Sequence, residues 1–139
     1  MDPAPPTILL AEDDPDDAEL IGVALKKAPL FHALRHVRDG DAAIAYLAGK
    51  GMYEDRHTYP LPRVVLLDLK MPRKNGFEVL QWIRSNSSCD KIPVVVLTSS
   101  DEPSDIKRAY ELGATSYLTK SASFKNVIEV LATLAPNWK

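Results

Sequence analysis

Two short, entirely apolar runs constrain the fold of this chain more than any other feature. Residues 64–67 and 94–97 each hold four consecutive aliphatic side chains. A strand with one face in water would alternate apolar and polar residues, so such runs predict strands that are buried on both faces. Amphipathic segments separate the runs, and this alternation predicts an α/β fold, a parallel sheet with helices packed on both faces.

Five predicted strand–helix pairs follow one another along the chain. Strands are predicted over residues 7–11, 33–37, 64–67, 94–97 and 116–118. Helices are predicted from Asp14 to before Pro29, over 42–47, over 77–84, from 104 to Gly113, and over 123–134. The apolar stripe of the first helix is predicted at Leu20, Val23 and Ala24, and that of the last at Phe124, Val127, Ile128 and Leu131. Right-handed crossovers leave few topologies for such a sheet.

Residue types at the helix ends support these boundaries. Asp14 is a typical N-cap, and Pro15 suits the first helical position. Asp16 and Asp17 then lie in the first turn, where an acidic side chain interacts favourably with the helix dipole. After the second helix, residues 49–62 form a long irregular connection, and connections of this length are often functional.

Length and composition indicate one domain in a reducing compartment. The 139 residues fit a single domain over 1–139, with a Pro-rich lead at residues 1–6. The net charge of −2 gives no reason to expect a nucleic acid or a membrane as partner. The single cysteine, Cys89, cannot form an internal disulfide, and residues 1–6 do not resemble a signal peptide, so we expect a cytoplasmic protein.

Polar groups that can carry chemistry follow four of the five predicted strands. Glu12, Asp13 and Asp14 come directly after the first strand, and Asp68 follows the third. Thr98 ends the fourth strand, and Lys120 lies just after the fifth. Because the carboxyl ends of parallel strands meet at one edge of a sheet, these groups are expected to form one acidic pocket with a hydroxyl and an ammonium.

This set of groups suits phosphoryl transfer assisted by a divalent cation. Clustered carboxylates repel one another, and Mg²⁺, or Mn²⁺, is an oxygen-seeking cation that would offset the repulsion. Asp68 would then be the nucleophile, since carboxylates form aspartyl phosphates. Lys120 would neutralise charge on the transferred group, and the hydroxyl of Thr98 would donate a hydrogen bond to it.

Each of these residues also has an ordinary structural explanation. Acidic residues before a helix are often caps, a strand-end threonine is more often structural, and a lone lysine is usually solvated. The joint pattern favours function because chance rarely places each group at the end of a different apolar strand. The three histidines have no metal-ligand spacing and are expected at the surface or a sheet edge, and Cys89 is not expected to be a nucleophile.

Four segments resemble the receiver domain of bacterial two-component response regulators. They are ILLAEDD (8–14), LLDLKMPRKNG (66–76), VVVLTSS (94–100) and SYLTK (116–120). The resemblance implies a flavodoxin-like (βα)5 fold with strand order 2-1-3-4-5. It also implies site roles: Asp68 as phosphoacceptor, Thr98 and Lys120 as phosphoryl contacts, Asp13 as a direct Mg²⁺ ligand, Glu12 acting through water, the backbone carbonyl of Lys70 as a further ligand, and Tyr117 as an aromatic switch that follows Thr98.

A finer resemblance is to single-domain regulators that partner bacterial phytochromes. It lies in the 49–62 insertion, the stretch from Asp105 to Ala114 and the tryptophan near the C-terminus. It implies a sensor histidine kinase as phosphodonor, with a bacteriophytochrome as the candidate. The resemblance to receiver domains in general implies a phosphotransfer protein as an alternative partner and a homodimer formed through helix four, strand five and helix five, as in many relatives.

The sequence departs from the family pattern at three positions. Ser121 follows Lys120 where many receivers have a proline with a cis peptide bond, and a cis bond before serine would cost about 3–4 kcal/mol. The placement of the lysine head therefore stays open. Glu12 replaces the commoner aspartate, which favours an indirect role. The side chain of Lys70 either reaches over the phosphate or faces solvent, and solvent is slightly favoured.

Two other classes of protein fit the sequence less well. A haloacid-dehalogenase-like phosphohydrolase also uses an aspartyl phosphate, but its second aspartate corresponds to Lys70 here. An inert binding module that has lost phosphorylation is disfavoured because every expected site residue is present. We therefore interpret the chain as a phosphoacceptor switch rather than an enzyme.

Overall fold

Five parallel strands form one sheet in the computed structural model, which describes residues 6–26, 33–120 and 125–134. The strands are β1 (Thr7–Ala11), β2 (Ala33–Val37), β3 (Val64–Leu67), β4 (Val94–Thr98) and β5 (Ser116–Thr119), in the order β2-β1-β3-β4-β5. The helices are α1 (Pro15–Lys26), α2 (Gly40–Ala48), α3 (Gly76–Ser85), α4 (Pro103–Glu111) and α5 (Lys125–Leu134). The predicted fold class and strand order are confirmed. The expected end of α1 at Pro29 and the residues 121–124 before α5 lie outside the described residues.

Helices cover both faces of this sheet. Alternate residues of β1 point to opposite sides, so Ile8 and Leu10 pack with α1 and α5, and Leu9 and Ala11 pack with α2 and α3. All residues of β3 and β4 are buried. A parallel strand that is covered on both faces needs such continuous apolar sequence, which is why the two aliphatic runs predicted the fold. None of the described helices is long and apolar enough to span a membrane.

The apolar stripe predicted for α1 is wrong. Leu20 and Val23 are 54% and 46% exposed, whereas Ile21 and Leu25 are fully buried against the sheet. Two neighbouring stripes of this helix both have apolar residues at helical spacing, so the spacing alone did not distinguish them. The stripe that packs is set by how the chain enters the helix from the end of β1.

Side-chain caps determine where three of the helices begin. Asp14 accepts hydrogen bonds from the backbone N–H groups of residues 16 and 17 at 2.9 and 3.3 Å, which confirms it as the N-cap of α1. Asp39 and Asn75 cap α2 and α3 in the same way. Because these caps precede the apolar residues, α2 begins at Gly40 and α3 at Gly76, slightly earlier than predicted.

The long connection after α2 is folded onto the domain. It contains a short 3-10 helix, Gly51–Tyr53, and Arg56 donates to the carbonyl oxygens of Tyr46 and Leu47, both at 2.7 Å. These carbonyls belong to the last turn of α2, where backbone acceptors lack partners further along the helix. The carbonyl of Tyr46 also accepts from the backbone N–H of Gly49 at 3.1 Å, and the guanidinium supplies a donor to each carbonyl. The ring of Tyr59 packs on Tyr46 and Tyr53 with centroids 6.0 and 5.1 Å away.

The strand register brings four strand ends to one edge of the sheet. Ala11 lies beside both Val37 and Leu67, so β1 and β3 end at the same level. Thr98 lies beside Thr119, which sets β4 and β5 level in the same way. The residues that follow these ends are therefore neighbours in space.

Candidate functional site

Three carboxylates meet at this edge. Glu12 and Asp13 follow β1 and Asp68 follows β3, and each offers one oxygen within 4.8 Å of the other two. Glu12 is 1% exposed and Asp68 is 5% exposed, whereas Asp13 is open to solvent. Carboxylates at this separation repel one another when ionised, so the folded chain holds a strongly negative site that faces solvent through Asp13.

The ammonium of Lys120 lies inside the acidic cluster. Its Nζ is 2.6 Å from Glu12 Oε1, 2.9 Å from Asp17 Oδ2 and 3.1 Å from Asp68 Oδ2. The contacts with Asp17 and Asp68 are hydrogen bonds, and the contact with Glu12 is an ion pair. The expected meeting of Lys120 with the acidic groups therefore occurs. The peptide bond between Lys120 and Ser121 lies outside the described residues.

Asp17 is a member of this cluster that sequence reasoning missed. We assigned it only to the helix dipole, since an acidic residue in a first helical turn usually needs no other explanation. Its partner Lys120 is separated from it by 103 residues. The sequence does contain one signal for this contact. Asp17 lies four residues after Asp13, and at that spacing a side chain of α1 is directed towards the edge of the sheet where Asp13 lies.

Thr98 contributes a buried hydroxyl. The residue has no exposed surface, and its Oγ1 has no hydrogen-bond partner among the described residues. A buried hydroxyl without a partner is unfavourable by about 1–3 kcal/mol. A ligand oxygen at the site would relieve this penalty, so the unpartnered atom indicates a place for one.

The backbone around Asp68 is held closely. Its Oδ1 accepts a hydrogen bond of 3.2 Å from the backbone N–H of Lys70, whose side chain is exposed, as the sequence slightly favoured. Gly76 packs against this turn: a Cβ there would meet the carbonyl of Asp68 and lie 2.6 Å from Leu69 Cα. Only glycine fits at this position, which sequence reasoning had used merely as a helix signal.

The hydroxyl of Tyr117 is bound outside the acidic cluster. It donates to the carbonyl oxygen of Ser100 at 2.8 Å, just after the end of β4. The Ser100 hydroxyl in turn donates to Asp105 at the start of α4, at 2.6 Å. The ring thus connects β5 to the β4–α4 connection, the segment that begins at Thr98.

Burial and charge shift two pKa values in the cluster. Burial raises the pKa of Glu12 to about 7, against the opposing effect of its contact with the Lys120 ammonium. Burial by itself lowers the pKa of an ammonium, but the contacts with Glu12 and Asp17 and the charge of Asp68 hold the pKa of Lys120 above its usual value. Lys120 is therefore charged at neutral pH, and Glu12 gains and loses its proton there.

The backbone of Glu12 is held from β2. Its N–H donates to the carbonyl of Val37 at 3.0 Å, and Nε2 of His36 donates to its carbonyl oxygen at 2.7 Å.

The side chains of His36 and His57 are exposed, as predicted, and His32 lies outside the described residues. Cys89 is buried, and burial raises the pKa of its thiol, which disfavours a nucleophilic role.

The donor set fits a hard divalent cation. The three clustered groups are all carboxylates, which are the ligands that Mg²⁺ and Mn²⁺ prefer over nitrogen or sulfur. One of them is open to solvent, and Mg²⁺ usually keeps several waters in its shell. The unpartnered hydroxyl of Thr98 adds a position for an oxygen of a ligand beside the cation.

Comparison with known proteins identifies similar chains. Response regulator Rcp1 of Synechocystis sp. (strain ATCC 27184 / PCC 6803 / Kazusa) is 41% identical over 96% of this chain and 89% of its own length. The crystal structure of the phosphorylated cyanobacterial phytochrome response regulator RcpA has a TM-score of 0.83 and 38% identity, covering 97% of this chain and 94% of RcpA. The Mn²⁺-bound form of Rcp1 has a TM-score of 0.81 and 42% identity, covering 94% and 91%.

These similarities agree with the acidic cluster and with the fold. Receiver domains accept a phosphoryl group from a histidine kinase and bind Mg²⁺ or Mn²⁺, and the carboxylates of Glu12, Asp13 and Asp68 match that requirement. Residues 8–132 match the family model described as "Response regulator receiver domain". The chain belongs to the receiver-domain family of two-component response regulators, and its relatives include regulators of phytochromes.

Proposed function

We propose that this protein is a signalling switch that is phosphorylated on Asp68. The observation that carries the proposal is the contact of 3.1 Å between the buried Asp68 carboxylate and the ammonium of Lys120, within a carboxylate cluster that suits a divalent cation. A buried carboxylate is a poor nucleophile towards a phosphorylated donor unless positive charge offsets the repulsion. The ammonium of Lys120 and a divalent cation are two such sources of positive charge, and each has a place beside the Asp68 carboxylate.

The transfer replaces one bond to phosphorus with another. An oxygen of Asp68 forms a bond to the phosphorus of a phosphohistidine, and the N–P bond of the donor breaks. The electron pair of that bond stays on the imidazole nitrogen, which takes up a proton from solvent. Lys120 then donates to an oxygen of the new aspartyl phosphate, and the hydroxyl of Thr98 donates to another.

The carboxylate of Asp13 would bind the cation directly, together with Asp68 and the backbone carbonyl of Lys70. Glu12 would act mainly through water, because its carboxylate is already in contact with Lys120 at 2.6 Å. When bound, Mg²⁺ or Mn²⁺ neutralises negative charge on the phosphoryl oxygens. These assignments are what the resemblance to receiver domains implies, and the cluster of Glu12, Asp13 and Asp68 supports them.

Phosphorylation shifts the equilibrium between two conformations of the face formed by α4, β5 and α5. The modification adds a charge of about −1.5 to −2. Two or three charge-assisted hydrogen bonds of about 1.5–3 kcal/mol each supply the roughly 5.5 kcal/mol that a nearly complete shift needs. Movement of Thr98 towards the phosphate would pull the β4–α4 connection and release the hydroxyl of Tyr117 from Ser100, so that the ring turns inward.

The partner we infer is a sensor histidine kinase in the cytoplasm, and the phytochrome regulators among the relatives make a bacteriophytochrome the first candidate. The chain would act as a switch, with no turnover beyond its own phosphorylation and dephosphorylation. A phosphotransfer protein is a second partner consistent with this chemistry. The face of α4, β5 and α5 is the candidate surface for a homodimer.

Labelling with acetyl phosphate in Mg²⁺ tests the proposal. We expect one phosphoryl group per chain, which does not form when EDTA replaces Mg²⁺ and does not form in Asp68→Asn. The exposed Asp41→Asn is a matched control that labels normally. Mass spectrometry of the intact chain gives the stoichiometry. Absence of label in the native chain would favour an inert binding module, and sustained hydrolysis of many phosphate esters would favour a phosphohydrolase.

A further inference from the structure

Asp17 differs in position from the other carboxylates that contact Lys120. Glu12 and Asp68 follow strands, whereas Asp17 lies in the first turn of α1. Its Oδ2 is 2.9 Å from Lys120 Nζ, which is closer than Asp68 at 3.1 Å. The Lys120 side chain is 11% exposed and that of Asp17 is 29% exposed, so the contact is partly shielded from water.

The start of α1 does not need a carboxylate at position 17. Asp14 already caps the helix through its side chain, and Asp16 supplies an acidic group to the same turn. Asp16 is exposed, and no hydrogen bond or ion pair of its side chain is found among the described residues. Asp16 therefore interacts favourably with the helix dipole without any need for Asp17. The contact with Lys120 is what distinguishes Asp17 from Asp16.

We propose that Asp17 is a positioning residue that holds the Lys120 ammonium facing Asp68 for phosphoryl transfer, an inference that rests on the proposed function. The three N–H bonds of an ammonium have a fixed tetrahedral arrangement. Asp17 and Asp68 each accept one of them, and Glu12 adds an ion pair at 2.6 Å, so Asp17 and Glu12 anchor the ammonium while another N–H points at Asp68. Loss of the Asp17 or the Glu12 carboxylate lets the Lys120 ammonium rotate and reach solvent.

The topology explains why a second anchor is needed. Lys120 follows β5, and β4 and β3 lie between β5 and β1 in the sheet. The flexible lysine stem must therefore cross the sheet edge, and a lysine stem has many rotamers to lose. Asp17 lies in α1, which follows β1 on the far side of the site. Its carboxylate therefore holds the ammonium at the end of the extended lysine side chain.

The first test measures phosphorylation rates with acetyl phosphate at saturating Mg²⁺. We expect Asp17→Ala to be slower by about tenfold, because misplacement of a catalytic group by a fraction of an ångström has effects of that order. The matched control Asp16→Ala removes the same charge from the same turn and should stay within about twofold of the native rate. Mg²⁺ affinity should change by less than about twofold in both, because neither is among the clustered carboxylates.

The second test observes Lys120 without any phosphoryl chemistry. In protein labelled with ¹⁵N-lysine, an ammonium held by hydrogen bonds to carboxylates exchanges its protons slowly with water. We expect exchange at Lys120 to be about tenfold faster in Asp17→Ala and unchanged in Asp16→Ala, since one of the two hydrogen bonds of the ammonium has been removed. Asp17→Asn, which keeps the shape and an acceptor oxygen, should lie between the two and replaces Asp17→Ala if that variant does not fold.

The two tests separate the inference from the proposed function. Faster exchange together with slower labelling supports a positioning role for Asp17. Unchanged exchange, or a labelling rate that equals or exceeds the native rate, overturns it. An unlabelled native protein or normal labelling of Asp68→Asn overturns the proposed function instead, and the exchange measurement then still reports whether Asp17 anchors the lysine.

Discussion

Lys120 forms ion pairs with three carboxylates, which come from the end of β1, the first turn of α1 and the end of β3. The surrounding charges are unbalanced, because one ammonium faces Glu12, Asp17 and Asp68, with Asp13 close by. Burial, with a smaller contribution from the charge of Asp68, raises the pKa of Glu12 to about 7, while the surrounding carboxylates keep Lys120 protonated. The charge state of the site therefore changes near neutral pH at Glu12.

We predict that Mg²⁺ affinity falls as the pH is lowered through 7. Protonated Glu12 loses the negative charge that attracts the cation, and with a pKa of about 7 the dissociation constant should rise by about tenfold between pH 8 and pH 6. Isothermal titration calorimetry at several pH values measures this. Glu12→Gln has no such proton to bind, so its affinity should be nearly constant over the same range. An equally steep dependence in both proteins would contradict the prediction.

At the scale of elements, α1 shows how the sheet selects one helix face. The buried residues Ile21 and Leu25 join the core of β1 and α5, while Leu20 and Val23 stay half exposed. Both stripes are apolar, so the choice depends on the orientation in which α1 leaves the sheet. That orientation also directs Asp17 to Lys120.

Substitutions in α1 should reveal this asymmetry as a difference in stability. Ile21→Ala removes fully buried methyl groups and should lower the free energy of unfolding by about 2–4 kcal/mol. Leu20→Ala, one residue away and 54% exposed, should change it by no more than about 1 kcal/mol. Urea denaturation followed by circular dichroism measures both. Equal losses would mean that the two residues are buried alike.

Two glycines at the helices flanking the site should respond oppositely to alanine. Gly76→Ala forces a Cβ to 2.6 Å from Leu69 Cα and against the Asp68 carbonyl, so we expect a loss of at least about 2 kcal/mol. Gly22→Ala in α1 meets only Leu34 Cδ2 at 3.7 Å, an ordinary contact, and should gain about 0.5–1 kcal/mol from helix propensity. Chemical denaturation of both variants checks the signs, and a stabilising Gly76→Ala would disprove the close approach.

For the whole molecule, the acidic cluster exists only when the sheet is formed. Glu12 and Asp68 are brought together because β1 and β3 are adjacent and end at the same level. The unfolded chain has no such arrangement of carboxylates, so a cation that needs the cluster binds the folded state alone. Binding therefore increases the stability of the fold.

Mg²⁺ at about one hundred times its dissociation constant should raise the free energy of unfolding by about 2.7 kcal/mol. The measurement is a urea or thermal transition with the metal and with EDTA. Asp13→Asn should remove most of this increase, since it takes away the exposed member of the cluster. The exposed Asp41→Asn, which lies in α2, should retain it in full. A metal effect of the same size in Asp13→Asn would exclude this residue as a ligand.

The amino-acid sequence alone determined the element order, the strand runs and the chemical groups at the strand ends. These depend on local properties of the sequence. Val64–Leu67 is apolar throughout, and Asp14 caps α1. Asp68 comes directly after β3, and Thr98 is the last residue of β4. Parallel pairing then requires the strand ends to converge. The residues of the site could be located for the same reason, whereas their individual roles are what the resemblance to receiver domains implies.

Only the tertiary structure decided which groups touch. The contact between Asp17 and Lys120 joins residues 103 positions apart, and no local pattern encodes a distance over that separation. The buried stripe of α1 and the close approach of Gly76 to Asp68 likewise depend on how a helix is oriented on the sheet. Such orientations result from the packing of all the elements together, so they are known only once the chain has folded.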